Sequence, residues 1–219
     1  MARLLIFGAG DIARLAHHYF TTDSPHEVVG FMVDTGFKTI DTLSGLPVLE
    51  REEALARFPP SECAMFVALS YARMNHVRAE KVAMAKADGY ALVSYVSSRC
   101  TYLSTTPPGE NCFILENNTV QPFVTIGNNV TLWSGNHIGH DSVIDDHCFI
   151  TSHVVVSGNV HVKSYCFIGV NATLRNSIVV AEQTLIGAGA VIMKSTKAKG
   201  VYLPARAELF PKDSDHVEL

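Results

Sequence analysis

The chain has 219 residues, 47% of them hydrophobic and 17% charged, with a net charge of −4. That is ample apolar material for a buried core and too little positive charge for the electrostatic footprint of nucleic-acid binding. No apolar run approaches membrane-spanning length and the N-terminus has no signal-peptide core, so a cytoplasmic protein with no membrane partner is expected.

Residues 3–7 form a continuous apolar run that ends in Gly8-Ala9-Gly10-Asp11-Ile12-Ala13, after which Leu15, Ala16, Tyr19 and Phe20 recur at helical spacing. This reads as strand, glycine turn, helix. A second apolar run, residues 28–33, ends in Asp34, about where a dinucleotide-binding unit keeps its ribose carboxylate. Glycines let the backbone approach a phosphate, and a helix N-terminus offers free N–H groups with partial positive charge. A third strand is expected over residues 65–69, a helix over 74–87 and a fourth strand over 92–96. Four strands by residue 96 leave room for one nucleotide-sized half-unit, which makes NAD a poor fit. Residues 97–109 turn polar and rich in Ser, Thr and Pro, marking a boundary.

From Ile114 the chain steps six residues at a time through Val120, Ile126, Leu132, Ile138, Ile144, Ile150, Val156, Val162, Ile168, Leu174, Val180 and Ile186 to Ile192, all aliphatic. Two residues before each stands a second row, nearly all small, from Cys112 and Asn118 to Thr184 and Ala190. A period of six is no helical period; it suits short strands joined by corners, with one large and one small side chain per repeat pointing inward. If three repeats make one turn, residues 18 apart stack at roughly the 4.8 Å spacing of paired strands. Gly127, Gly139, Gly169 and Gly187 are expected at corners needing unusual backbone angles. Past Ile192 a basic loop, a last extended segment over residues 201–205 and a loose charged tail are expected.

The five cysteines include no CxxC pair, and Cys112, Cys148 and Cys166 fall in the small inward row, where a thiol packs as a small hydrophobe. Of ten histidines, His137, His140, His147, His153 and His161 crowd into two coils. His140 follows the inward Ile138 by two residues and so sits at a corner. Gly158, 18 residues later, should stack above it without a side chain to crowd it, and Asp141 can hold the imidazole in one tautomer. His147 and His153 are weaker candidates for ligand contact.

A short nucleotide-type half-domain followed by a coil carrying Ile138-Gly139-His140-Asp141-Ser142-Val143-Ile144 resembles the bacterial sugar acyltransferases of the PglD/NeuD type, members of the hexapeptide-repeat acyltransferase superfamily. The resemblance implies a Rossmann-like α/β domain over residues 1–98 and a left-handed parallel β-helix over 99–219. It also implies transfer of acetyl from acetyl-CoA, without a metal, to an amino or hydroxyl group of a nucleotide-linked sugar or sialic acid. His140 matches the family's general base and Asp141 its acidic neighbour. Gly8, Gly10, Asp11 and Ile12 match the turn that contacts the nucleotide sugar, and Asp34 the acid after the second strand. Phe149 stands where several members carry a histidine at the acetyl-CoA site. Val170 and Ala188 match positions along the CoA arm, and at the acetyl-CoA site backbone N–H groups near Gly158 are expected to stabilise the oxyanion. Family members are homotrimers with sites between neighbouring coils, and outer aliphatics such as Val155 and Val179 would gain cover in that arrangement.

The reading that follows is an N-acetyltransferase acting on a UDP-, dTDP- or GDP-linked amino sugar for surface glycan synthesis. O-acetylation of sialic acid or another sugar hydroxyl is the alternative. A zinc enzyme like the γ-type carbonic anhydrases and a non-catalytic sugar-nucleotide-binding protein stand further off.

Overall fold

The computed structural model describes residues 3–209, 211 and 214–216. Its first part is an α/β unit. Strand β1 (Arg3–Phe7) is followed by helix α1 (Asp11–Thr22), β2 (Glu27–Val33), a small hairpin of β3 (Thr42–Leu43) and β4 (Leu46–Glu50), α2 (Arg51–Arg57), β5 (Cys63–Val67) and α3 (His76–Ala87). The sheet runs β3-β4-β2-β1-β5, parallel throughout except for β3 at the edge. β1 is the most apolar strand, and Leu4, Leu5 and Ile6 are fully buried because helices cover both of its faces.

The strand expected over residues 92–96 divides. Leu92 bridges to Met65, whereas Tyr95–Val96 leaves this sheet and pairs with Phe113–Ile114 as the first rung of the coil. The hairpin and α2, which lack a strong periodic signal, were not among the expected elements.

From Tyr95 the chain winds through two-residue strands joined by corners, forming three parallel sheets in which strands pair 18 residues apart, save the last pair, Leu185–Ile186 with Val201–Tyr202, at 16. This fits a left-handed parallel β-helix. All fourteen aliphatics of the six-residue row are at most 5% exposed, and the small row two residues earlier is buried beside them. Polar members of that row survive inside because their bonds are met. Asn136 donates to the Trp133 carbonyl and accepts from Val154 N–H, and Ser142 Oγ accepts from Val160 N–H. Cys112, Cys148 and Cys166 are free thiols pointed at carbonyls 15 residues ahead.

The corners correct one expectation. Gly127, Gly139, Gly169 and Gly187 do not carry the unusual angles; these fall three residues before each aliphatic of the row, at fourteen positions six apart from Asn111 to Gly189 with φ between 55° and 79°. Asn, Asp, His and Gly fill most of them, the residue types that tolerate left-handed backbone. Gly139 is required instead for close approach, since a methyl there would lie 2.6 Å from the Ser157–Gly158 peptide of the next coil.

The α/β unit packs on the coil face formed by Phe113, Thr131, Phe149 and Phe167. Phe20, Phe66, Tyr95 and Phe113 make one aromatic cluster across the junction. Asn111 of the coil pairs with both the N–H and the carbonyl of Val67 in β5. The last extended segment, Val201–Tyr202, pairs with Leu185–Ile186. The charged tail lies partly outside the described residues.

Candidate active site

His140 and Asp141 occupy the corner after the strand His137–Ile138. Asp141 takes the left-handed position with φ 57°, which turns its carboxylate back toward its neighbour. Asp141 Oδ2 lies 2.8 Å from His140 Nδ1, and both side chains are about half exposed. The natural reading is an Nδ1–H donating to the carboxylate, which leaves Nε2 with its lone pair. The His140 N–H donates to Gln121 Oε1 at 2.8 Å, and its carbonyl accepts from Asn159 N–H, so the corner is pinned from both neighbouring coils. Gly158 is what gives the ring room. A methyl there would come within 2.6 Å of Nε2 and 2.8 Å of Cε1.

A second candidate lies in the α/β unit, at the carboxyl ends of β1 and β2. A cleft of about 400 Å³ is lined by Gly8, Gly10, Asp34, Phe37, Val77 and Lys81, among others. Gly10, which lines the cleft, caps α1 in an extended conformation with no side-chain hydrogen bond, so the first N–H groups of the helix have no capping side chain from it. At Gly10 a side chain would meet nothing within 4 Å, and at Gly8 it would strike the Ala68 carbonyl at 2.8 Å, so the two glycines serve different needs. Asp34 is not free: Lys81 Nζ, from α3, donates to Oδ1 at 2.7 Å. Asp11 turns outward to Arg14, Ile12 packs against the core, and neither is among the residues that line the cleft.

The residues lining the cleft do not include His140, Asp141 or Gly158. Val170 and Ala188 stack at another exposed corner of the coil, with Gly169 close against the Ala188 N–H. Phe149 departs from expectation. It is 2% exposed, enclosed by Tyr71, Trp133, Phe167 and the Arg78 guanidinium, and presents no surface to acetyl-CoA. The inward course of α3 against this face, invisible in the hexad spacing, is the cause.

His147, His161 and His153 each meet a residue of an adjacent coil. His147 Nδ1 pairs with Asn129 Nδ2 at 2.9 Å, and its ring lies against Tyr165, which stacks on His76 of α3; burial pulls its pKa down. His161 Nε2 meets Asp145 at 2.9 Å, and the His153 ring lies against Gly135. Among the described residues no group of three or more His, Cys, Asp or Glu side chains is placed to hold a metal ion, and no helix is long and apolar enough to cross a membrane. Lys81, Phe37 and Gln121 were not found by sequence reasoning. Lys81 alone left a trace, as a cation one turn past Val77 on a predicted helix.

Residues 124–158 match the family model described as bacterial transferase hexapeptide (six repeats). No curated protein matches the sequence. Among solved structures, PerB from Caulobacter crescentus in complex with CoA and GDP-perosamine is similar, with a TM-score of 0.81 and 19% identity over 93% of this chain and 95% of that one. The acetyltransferase domain of PglB from Neisseria gonorrhoeae gives 0.79 and 20% over 93% and 97%. WeeI from Acinetobacter baumannii gives 0.78 and 22% over 92% and 96%. Residues 124–158 therefore match the bacterial transferase hexapeptide repeat, and the chain shares, over nearly its whole length, the fold of these solved proteins.

Proposed function

We propose that this protein is an acetyl-CoA-dependent N-acetyltransferase acting on a nucleotide-linked amino sugar, with His140 as general base. The observation that carries the reading is the His140–Asp141 pair, 2.8 Å apart at an exposed corner whose opposite position is a glycine. Nε2 takes a proton from the sugar amine as nitrogen adds to the thioester carbonyl; the C–S bond then breaks and CoA leaves as the thiol. Backbone N–H groups near Gly158 face the developing oxyanion. Val170 and Ala188 leave the backbone open at their corner, which suits an extended CoA arm. Structures sharing this fold hold CoA together with GDP-perosamine, which supports both cosubstrate and acceptor class.

The α/β unit, residues 1–98, is read as a Rossmann-like half-domain. In chain order its parallel strands run third, second, first, fourth, so the glycine turn after β1 stands where the order reverses, the usual place for a nucleotide. Gly8 and Gly10 with the first turn of α1, including the N–H groups of Asp11 and Ile12, would face the diphosphate, and Asp34 the ribose or base. The β-helix domain, residues 99–219, would supply the chemistry in the cytoplasm. Because the cleft and the His140 corner belong to different surfaces of one chain, a homotrimer that brings neighbours' surfaces together is part of the proposal.

The test is thiol release from acetyl-CoA with a panel of UDP-, dTDP- and GDP-linked amino sugars, with free sialic acid beside them. Release with an amino sugar supports the reading. Release with sialic acid alone would make the enzyme an O-acetyltransferase.

A further inference from the structure

Helix α3 touches both parts of the chain. Val77 and Lys81 line the glycine-turn cleft, where Lys81 holds Asp34. Arg78, on another face of the same helix, runs into the coil. It is 2% exposed, and its guanidinium donates to Thr131 Oγ1 at 2.8 Å and to the carbonyls of Asn129 at 3.0 Å and Cys148 at 3.2 Å, while lying 5.2 Å from the centre of the Phe149 ring. All these oxygens belong to neutral groups, and burial pulls the guanidinium pKa down to about 10. A methionine would pack here with less desolvation. What arginine adds is direction, because its rigid fork of donors fixes the helix at one register on the coil.

The approach to α3 is built the same way. Tyr71 sits against Phe149 and Phe167, with ring centres 5.2 and 4.6 Å away. Arg73, Met74 and Asn75 then take φ of 51°, 52° and 67° in succession, a left-handed run that non-glycine residues rarely adopt. Asn75 is fully buried and donates from Nδ2 to the Cys166 carbonyl at 3.2 Å, while its Oδ1 has no partner among the described residues. Backbone strain, a buried cation and an orphaned amide oxygen therefore concentrate in residues 71–78. Asn75 and Arg78 meet the strip of coil formed by residues 129, 148 and 166.

We infer that Arg78 and Asn75 are positioning residues that lock α3 to the coil, so that the nucleotide cleft stands at a fixed distance from the surface where transfer takes place. The inference rests on the function proposed above. A nucleotide-linked acceptor must be held by the cleft and react at the coil at once, so a shift of α3 by about 1 Å is expected to cost up to about 10²-fold in transfer. An acceptor without the nucleotide does not use the cleft and is indifferent to α3.

The test uses the full chain with Arg78→Met, which keeps volume without donors, and Arg78→Lys, which keeps charge without the fork. Acetyl transfer is measured to a nucleotide-linked amino sugar and to the same sugar without its nucleotide, and amide hydrogen exchange is followed in parallel. Both variants should lose about 10–10²-fold in kcat/KM for the nucleotide-linked acceptor. The KM for acetyl-CoA and the slow rate with the free sugar should hold, and exchange should rise across residues 71–87 only. Equal loss with both acceptors, a uniform rise in exchange, or no change in either would overturn the inference. If the unaltered protein acetylates neither acceptor, the proposed reaction is at fault. Exchange then decides alone: a rise confined to residues 71–87 supports the lock, and a uniform rise or none sinks it.

Discussion

The His140 side chain is half exposed and buries little, so its removal should touch chemistry and spare the fold. General-base help is worth ~10²–10⁴-fold, and His140→Ala should lower kcat by about that much with an unchanged melting temperature. Asp141→Asn should cost less, since an amide oxygen can still accept from Nδ1–H. Gly158→Ala offers a test of the geometry itself. Its methyl would lie 2.6 Å from Nε2, and the flexible imidazole can swing aside at little cost in stability, yet a displaced ring no longer meets the amine. The variant should therefore resemble His140→Ala in kcat with His140 still present; full activity in purified Gly158→Ala would show that the ring's place above the glycine is irrelevant.

Among the elements, the junction between α1 and the first coil depends on Asp23, whose carboxylate accepts from Tyr95 OH at 2.6 Å and Ser98 N–H at 2.9 Å. Hydrogen bonds from Ser98 first and then Tyr95 hold its pKa down at about 2, against an ordinary 3.8. A depressed carboxylate stabilises the fold above its unfolded pKa, and that contribution is lost as pH falls from 3.8 toward about 2. Acid unfolding of Asp23→Asn should accordingly be flatter through this window, as followed by circular dichroism; an unchanged acid limb would contradict the role. Within the coil, Gly139→Ala should destabilise by about 1–3 kcal/mol, because its methyl meets the backbone of the next turn rather than a mobile side chain. The coil was legible in the sequence because each hexad repeats one physical requirement, a large and a small side chain turned inward. The reason for its glycines was not, because a spacing between coils is set by backbone 18 residues away. Phe149 was misjudged for a like reason: its neighbours Tyr71 and Arg78 come from a part of the chain that the repeat does not describe. Lys81 and Phe37 were missed because the cleft draws on a helix and a loop far from the glycine turn in sequence.

At the scale of the molecule, the chain presents two candidate surfaces, a glycine-turn cleft and a His-Asp corner, on two packed parts. Aliphatics such as Val155 and Val179 stand about 40% exposed on the outer faces of the coil. A trimer would cover them, and sedimentation should give three copies at micromolar concentration; a monodisperse monomer would remove the assembly from the account. The cleft has its own test. Gly10→Val should raise the KM for the nucleotide sugar strongly and leave that for acetyl-CoA unchanged, because a side chain there intrudes on space open to phosphate. Weakened acetyl-CoA binding would mean that the two surfaces have exchanged roles. The most direct measurement of the central claim is mass analysis of the products formed from acetyl-CoA and a nucleotide-linked amino sugar by the unaltered protein and by His140→Ala. The account predicts an N-acetylated nucleotide sugar and one equivalent of free CoA from the first, and ~10²–10⁴-fold less from the second. Equal product from both proteins, or acetyl found only on a hydroxyl, would contradict it.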